Sequence, residues 1–422
     1  MVWACRVDSV KGQLLGSGIY TEGVRAPLSS GLVAALLFVA GPAGAGERVW
    51  IDLVRPEERA AGPVGLAEVR GWAGAGPAQA YDVVLVLDVS SSTLRPSGGD
   101  VDGDGNVGRR LRSADDPLRN PNPRRLCSDP GDTIRAAEIA AARRFVAAVD
   151  PERTRLGILT FDDSALVRAP LGASRDELEA ALARLEREAP FGSGATDLSA
   201  ALRRAREALG AAAGEGRQRW IVLLSDGSPN RPRSPRRAAQ EARREAQAAA
   251  AEGVRIRSFA LGEEVMEEGE VYREIAEATG GRFSRVARAD QVVPRLADLD
   301  LSRVAEIRVE NTSTGEAGRA VRVSPDGRFD GVVGLAPGEN RIRVTARGSA
   351  GAESAAECVV HFERREPRTP EETRAFAATL ERLRARTLAI ERGLEVERAR
   401  SRGRVVELEM AEERHDVAAP PP

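Results

Sequence analysis

The sequence predicts an α/β domain with a mostly parallel sheet and helices on both of its faces, combined with an all-β sandwich and a C-terminal helix. Two observations predict the two main parts. In the middle of the chain, continuous apolar runs typical of buried strands alternate with amphipathic helical patterns. Later, short strands are separated by Gly, Pro and Asn turns. The α/β domain is therefore expected at 81–299, and the β-rich segment at 304–364.

The α/β domain is built from apolar runs of strand length, each followed by a longer segment with helical periodicity. Most of these helical segments are rich in Ala, Arg and Glu. A parallel sheet needs such helices to cover it. The strands are predicted at 82–88, 155–161, 220–226 and 254–261, and the helices at 133–149, 175–187, 197–209 and 235–252.

The β-rich segment is short for a complete sandwich. Two further strand patterns, at 48–54 and 66–72, lie upstream of the α/β domain. We expect 47–79 and 304–364 to form one sandwich with the α/β domain inserted in it, which requires the two ends of the insert to lie close together. The alternative is a separate N-terminal hairpin, although two strands alone are only marginally stable.

An apolar stretch at 32–40 follows Arg25 and precedes an Ala43-x-Ala45 sequence. This pattern predicts a signal peptide within 1–45 and a secreted, periplasmic or cell-surface protein. A buried core helix is the alternative. The stretch is too short to cross a bilayer, which takes ~20 residues, and no later segment is apolar enough, so no further transmembrane segment is expected.

The C-terminal part, 369–415, is dense in Arg and Glu, and its apolar residues follow helical spacing for less than three heptads. One amphipathic helix packed on a neighbour is favoured over a coiled coil. The end of the chain, 416–422, is expected to be disordered.

Composition excludes several kinds of site. The chain has 62 basic and 64 acidic residues, and this balance argues against a nucleic-acid partner. Lys11 is the only lysine, which excludes a Walker-type lysine or a lysine Schiff base beyond it. The two histidines, His361 and His415, are too few for a poly-histidine zinc site. The three cysteines are no disulfide framework.

Side chains with oxygen atoms follow several strands of the α/β domain. Two hydroxyls and an acid leave the first strand in the sequence Asp-Val-Ser-Ser-Ser, a threonine precedes a helix, and a second acid follows the 220–226 strand region. Ligands of α/β folds bind at this edge of the sheet. An oxygen-only set suits Mg²⁺ (or Mn²⁺), with water completing an octahedron. The set is Asp88, Ser90, Ser92, Thr196 and Asp226.

Two other interpretations of these residues are open. Ser90, Ser92 and Thr196 are residue types that often cap helices. Asp88 is also a candidate nucleophile of a phosphoesterase, although such an enzyme needs a basic residue to hold the phosphate.

This arrangement resembles the von Willebrand factor A domain, whose metal-ion-dependent adhesion site has the form D-x-S-x-S…T…D. Asp88, Ser90 and Ser92 match its first part, Thr196 the second and Asp226 the third, and the resemblance runs through 82–290. It implies a Rossmann-like sheet and a metal that is partly open, so that an acidic residue of a protein partner completes the coordination. It implies binding rather than turnover, and no enzyme activity.

One departure from that family is a long insertion, 94–132, beside the metal edge. It contains the sequence Asp-Val-Asp-Gly-Asp-Gly-Asn, which matches the start of a calcium-binding loop of the EF-hand type. The ligands would be Asp100, Asp102, Asp104 and Asn106. The expected Glu at position 12 is Leu111, and Asp115 or Asp116 is the candidate replacement. The alternative is a solvated acidic turn.

The β-rich segment has a resemblance of its own. Its Asp326-Gly327-Arg328-Phe329 sequence and the alternation that starts at Leu335 are similar to bacterial immunoglobulin-like modules, which usually act as spacers. Three functions follow for the whole chain. The first is a protein that binds a partner through the adhesion metal. The others are a structural or assembly component, in which the metal only stabilises the fold, and a metal-dependent hydrolase.

Overall fold

The computed structural model describes residues 48–56, 58–62, 64–76, 80–111, 126–188, 195–211, 216–231, 234–262, 269–297 and 299–366, with single positions between 369 and 381. The predicted signal segment, the tail at 416–422 and most of the predicted helix at 369–415 lie outside these residues.

The described strands and helices alternate over the middle of the chain, and strands alone precede and follow them. The strands are β1 (Val49–Arg55), β2 (Arg59–Gly62), β3 (Leu66–Ala75), β4 (Ala80–Asp88), β5 (Thr154–Phe161), β6 (Ala165–Ala169), β7 (Arg217–Ser225), β8 (Val254–Leu261), β9 (Phe283–Val286), β10 (Val304–Asn311), β11 (Glu316–Ala317), β12 (Arg319–Val323), β13 (Arg328–Gly334), β14 (Gly338–Gly348) and β15 (Glu353–Arg364). The helices are α1 (Ile134–Ala148), α2 (Arg175–Arg187), α3 (Leu198–Ala211), α4 (Pro235–Ala251), α5 (Glu270–Ala278) and α6 (Val292–Ala297).

The α/β domain contains a six-stranded sheet in the order β6-β5-β4-β7-β8-β9. All neighbouring strands are parallel except β6, which runs antiparallel to β5. β4 lies in the interior of the sheet, and its side chains from Tyr81 to Asp88 are all buried. A strand with both faces covered needs the continuous apolar run that this segment has.

Helices cover both faces of this sheet, as the sequence predicts. Residues of α1, α2 and α6 share one apolar core with alternate residues of β4, and residues of α3, α4 and α5 share the other. The four predicted strands and four predicted helices are present. The sequence prediction missed β6, β9, α5 and α6.

The remaining strands form two sheets with the orders β1-β3-β13-β12 and β11-β10-β14-β15-β2. Each sheet combines strands from before and after the α/β domain. Their facing side chains share one core, in which Val69 lies against the residues around Phe329 and Val344. β15 and β2 are parallel, and the other pairs are antiparallel. The immunoglobulin-like assignment of this sandwich stays a prediction.

The two ends of the inserted domain meet at the sandwich. The Ala75 amide, which precedes the insert, donates to the carbonyl of Ser302, which follows it, at 2.8 Å. Nearby, Asp326 is fully buried and its Oδ2 accepts from the Asp150 amide at 2.6 Å and from Thr154 Oγ1 at 3.3 Å. A carboxylate of the sandwich thus satisfies donors of the α/β domain, opposite the strand ends that carry the predicted metal residues.

We expect Asp326→Ala to lower the free energy of unfolding by about 1–3 kcal/mol, because it leaves buried donors without an acceptor. Urea denaturation measures this change. Glu339→Ala, which removes an exposed acid from the same sandwich, is the matched control and should change little. A loss no larger than that of the control would contradict the assigned role of Asp326.

Candidate metal centre

The residues predicted to bind a metal lie at the carboxyl-terminal edge of the central strands. Asp88 is the last residue of β4, and Asp226 directly follows β7, the neighbouring parallel strand. A short 3₁₀ turn at Ser91–Leu94 bends the chain back after β4, so that Ser90 and Ser92 stay beside Asp88. Parallel strands end at one edge, which brings distant parts of the chain together there.

Hydrogen bonds connect four of the five residues. Asp88 Oδ1 accepts from the Ser90 amide at 2.9 Å. Ser90 Oγ lies 3.0 Å from Ser92 Oγ, and Ser92 Oγ donates to Asp226 Oδ1 at 2.7 Å. Apart from the Ser90 amide, all of these atoms are side-chain oxygens, and the hydrogen bonds fix their orientation.

Thr196 joins the same cluster from the loop that precedes α3. A Cβ built on Gly227 would lie 3.2 Å from Thr196 Oγ1, 3.6 Å from Ser92 Oγ and 3.9 Å from Asp88 Oδ2. Oxygens from two separate segments therefore lie close to Gly227, the residue that follows Asp226. The structure brings all five predicted residues together, and four of them are buried.

The hydroxyls do not act as helix caps. Ser90 stands at the cap position of the 3₁₀ turn, but its side chain makes no capping hydrogen bond. At α3 the cap comes from Asp197, whose Oδ1 accepts from the Ala200 amide at 2.9 Å, and not from Thr196. The capping interpretation of Ser90 and Thr196 therefore fails on geometry.

The electrostatics of the cluster favour a bound cation. Asp226 Oδ2 is buried and has no hydrogen-bond partner. Burial, and then the charge of Asp88, raise the pKa of Asp226 from 3.8 to about 8. Burial also raises the pKa of Asp88, despite its bonds to serine hydroxyls. Two buried carboxylates among hydroxyl oxygens, one of them with an unpartnered oxygen, fit a divalent cation as the missing counter-charge.

Three residues that the sequence prediction missed support or border the cluster. Ser225 Oγ donates to Asp88 Oδ2 and lies 2.8 Å from the phenol oxygen of Tyr272 on α5. Tyr272 in turn donates to the Gly227 carbonyl at 2.5 Å, which holds the turn that carries Asp226. Glu138 on α1 is 1% exposed and close enough for Asp88 and Asp226 to raise its pKa. No motif marks a helix residue such as Tyr272 or Glu138, because helical periodicity predicts an apolar side chain there.

Two short bridges hold the described parts of the insertion together at its two ends. Pro96 pairs with Thr133, and Arg110 pairs with Cys127, in short antiparallel bridges. α1 begins after Thr133, whose Oγ1 accepts from the Ala136 amide. The residues between 111 and 126, including Asp115 and Asp116, lie outside the described part of the chain.

Two acids that were not predicted join the calcium-loop sequence. Carboxylate oxygens of Asp100, Asp102 and Asp132 lie within 4.8 Å of one another, and so do those of Asp102, Asp104 and Asp129. Asp132 is buried and accepts from the Val101 amide at 2.6 Å and the Gly108 amide at 2.7 Å. Asn106 contacts Asp104 through its own side chain, at 3.2 Å.

Comparison with known families agrees with this fold. Residues 134–298 match the family model of the von Willebrand factor type A domain. The chain contains a von Willebrand factor type A domain. The matched segment includes Thr196 and Asp226, and it begins after β4 and the insertion, so Asp88, Ser90 and Ser92 lie outside it. No curated protein matched the sequence.

Solved structures with similarity to this chain include three from different sources. A pilus adhesin, SpaC from Lactobacillus rhamnosus GG, has 11% identity, covering 74% of this chain and 47% of that chain, with a TM-score of 0.38. An aerotolerance-related membrane protein from Bacteroides fragilis NCTC 9343 has 16% identity, covering 51% of this chain and 96% of that chain, with a TM-score of 0.34.

The third is proximal thread matrix protein 1 from the mussel byssus, in a form described with a zinc-occupied adhesion-site motif. It has 16% identity, covering 51% of this chain and 47% of that chain, with a TM-score of 0.34. At such scores, none of these likenesses bears on what this chain does. Among the described residues, no helix combines the length and apolar character needed to cross a membrane.

The raised pKa of Asp226 predicts how the metal-free protein responds to pH. Between about pH 4 and pH 8 the folded state keeps a proton that the unfolded state has released, so the free energy of unfolding falls as pH rises. A cation favours the ionised form, and Mg²⁺ should therefore stabilise the protein most at the upper end of this window. Thermal unfolding in EDTA and in Mg²⁺ measures both effects.

Asp226→Asn is the control for this pH dependence, since it removes the titrating group and keeps its shape. We expect a flatter fall in metal-free stability in this variant. The interpretation would be wrong if the wild type and Asp226→Asn had the same pH dependence in EDTA.

Proposed function

We propose that the von Willebrand factor type A domain of this chain binds a protein partner through a divalent cation held by Asp88, Ser90, Ser92, Thr196 and Asp226. The observation that carries the proposal is the unpartnered Asp226 Oδ2 beside a space that serine, threonine and aspartate oxygens surround. Hard oxygen ligands suit Mg²⁺, or Mn²⁺ in its place.

The ligand set determines the chemistry of the partner. Hydroxyl ligands are neutral, so they compensate less of the cation's charge than carboxylates would. A cation held in this way attracts a further anionic oxygen. An Asp or Glu side chain of the partner supplies one, and the site then works by binding and not by turnover.

The location of the site is consistent with a partner approaching from outside. Ser92 is only partly buried, whereas the other four residues have little exposed surface. The sandwich joins the α/β domain at the opposite edge of the sheet, through Asp326, and leaves the metal edge uncovered by its strands. With the predicted signal segment, this favours a secreted, periplasmic or cell-surface binding protein.

The insertion is proposed to bind Ca²⁺ with Asp100, Asp102, Asp104 and Asn106. We add the nearby Asp129 and Asp132 to this ligand set; the roles predicted for Asp115 or Asp116 stay predictions, since both lie outside the described residues. The backbone amides of Gly103 and Gly105 donate to Asp100 at 2.7 and 3.0 Å, which folds the loop tightly around its acids. A bound Ca²⁺ would make this loop rigid, and the loop would then border the proposed adhesion metal.

A second candidate function is a structural or assembly role, in which the cation only stabilises the domain. The burial of Asp88, Ser90, Thr196 and Asp226 favours this role, because buried ligands contribute to folding whether or not a partner binds. The two functions differ in whether association depends on the metal.

Titration of Mg²⁺ into chelated protein tests the metal site. We expect Asp88→Ala to abolish binding, and Ser90→Ala and Ser92→Ala each to weaken it by roughly 1–2 kcal/mol as a ligand is lost. Ser91→Ala is the matched control, because Ser91 lies between the two serines and is not part of the proposed ligand set; its affinity should equal that of the wild type.

A variant of the insertion is a second control, measured by the same titrations with Ca²⁺ and Mg²⁺. Asp102 belongs to both acidic groups of the loop, so Asp102→Asn should remove Ca²⁺ binding and leave the Mg²⁺ site intact. Equal Mg²⁺ binding by the wild type and Asp88→Ala would refute the proposed metal site.

Peptide selection distinguishes partner binding from a structural role. We expect peptides from a random surface-displayed library, selected on the protein in Mg²⁺, to contain an Asp or Glu whose change to Asn or Gln abolishes binding. Their binding should also be lost in EDTA and with Asp88→Ala. Peptides that bind equally in EDTA, or that need no acidic residue, would favour the structural role instead.

A further inference from the structure

Glu138 is the one buried acid in the described part of the chain with both carboxylate oxygens unpartnered. It lies in the first half of α1, the helix that packs on the face of β4 and follows the insertion. Its side chain is 1% exposed, and its neighbours along the helix, Ala137 and Ile139, are buried in apolar surroundings. The charged form of an unpaired acid is strongly unfavourable in apolar surroundings. Such an acid is ionised only where a cation compensates its charge.

Among the described residues, no cation pairs with Glu138 through a hydrogen bond, and the charge of Arg135 only partly offsets the rise in its pKa. Arg135 is the basic residue nearest to Glu138 along α1, but its guanidinium donates to the carbonyl oxygens of Leu185 and Glu188. By contrast, the buried acids Asp82 and Asp326 have arginine or amide donors.

Glu138 lies within electrostatic reach of the metal cluster, on the helix that packs against β4. After burial, the largest influences on its carboxyl are the charges of Asp88 and Asp226, which raise its pKa further. The backbone amide of Asp88 acts in the opposite sense, although its geometry falls outside that of a hydrogen bond. The charge of Glu138 also helps to raise the pKa of the Tyr272 phenol on the other side of the cluster.

We propose that Glu138 is a third carboxylate of the metal site, which strengthens the binding of the divalent cation from beneath the cluster. This inference rests on the metal site proposed above. The charges of Asp88 and Asp226 act on Glu138 more strongly than that of Arg135, so the ionised form of Glu138 is unfavourable without metal, and a divalent cation would favour it. Glu138 is a positioning residue in this role, since the five oxygens already described line the space itself.

The test compares Mn²⁺ affinity in variants that all carry Asp102→Asn, so that the insertion does not contribute. In this background we expect Glu138→Gln to weaken Mn²⁺ binding at least about tenfold, as supporting groups of metal sites do. The metal-free melting temperature should stay equal or rise, because an unpaired buried carboxylate is removed. Glu138→Met, which suits apolar surroundings, should show the same two changes.

Glu152→Gln is the matched control, because it makes the same change of charge at an exposed residue, and its Mn²⁺ affinity should not change. If Glu138→Gln and Glu138→Met bind Mn²⁺ as the background protein does, this inference is wrong and the metal site stands. If the background protein itself binds no Mn²⁺, both proposals fail. The two Glu138 variants could also melt at a lower temperature without metal, while Mn²⁺ raises their melting temperature as much as it does that of the background protein. This result would make Glu138 purely structural and overturn the inference.

Discussion

The repulsion between Asp88 and Asp226 is the interaction on which the proposed metal site depends. The two acids end neighbouring parallel strands, and both are nearly fully buried. Burial makes their charged forms unfavourable; the charge of Asp88 raises the pKa of Asp226 further, and the charge of Asp162 raises that of Asp88. The surrounding serines, Thr196 and the Tyr272–Ser225 pair supply hydrogen bonds but no positive charge. The proposed cation would supply the positive charge that this arrangement of buried oxygens needs.

The buried acids at the two ends of β4 differ in whether arginines compensate their charge. Asp82, near the start of the strand, is fully buried like Asp88. Burial raises its pKa, but hydrogen bonds from Arg155 and Arg217 outweigh burial, so its pKa is below the ordinary value. The chain thus compensates a buried acid with arginines at the edge that faces the sandwich and leaves the acid at the opposite edge uncompensated. This contrast supports a site for an external cation.

The sequence was sufficient for the parts of the fold that local patterns determine. Continuous apolar runs identify β4, β5, β7 and β8, because buried parallel strands need them. The D-x-S-x-S sequence marks the end of β4 as a candidate site, because it combines an acid and hydroxyls at a strand end. β6 was missed, since it is an edge strand with exposed Leu166 and Val167 and has no continuous apolar run.

Other features depend on tertiary packing, which one sequence does not reveal. Glu138 lies in the alanine-rich helix α1, and only the position of that helix against β4 brings it near Asp88. Asp129 and Asp132 lie about thirty residues after Asp100, and the return of the insertion brings them close to the acids of the loop. Sequence spacing pointed to Asp115 or Asp116, because a calcium loop of the EF-hand type takes its ligands from one segment of 12 residues; these two acids lie outside the described residues, and their role stays a prediction.

The most direct measurement of the central claim is anomalous diffraction from crystals of the protein grown with Mn²⁺. The account predicts an anomalous peak between the side chains of Asp88, Ser92, Thr196 and Asp226, beside Gly227. The same crystals of Asp88→Ala should lack this peak. A wild-type map with Mn²⁺ only at the acids of the insertion, or with no peak at all, would contradict the claim that the cluster is a metal site.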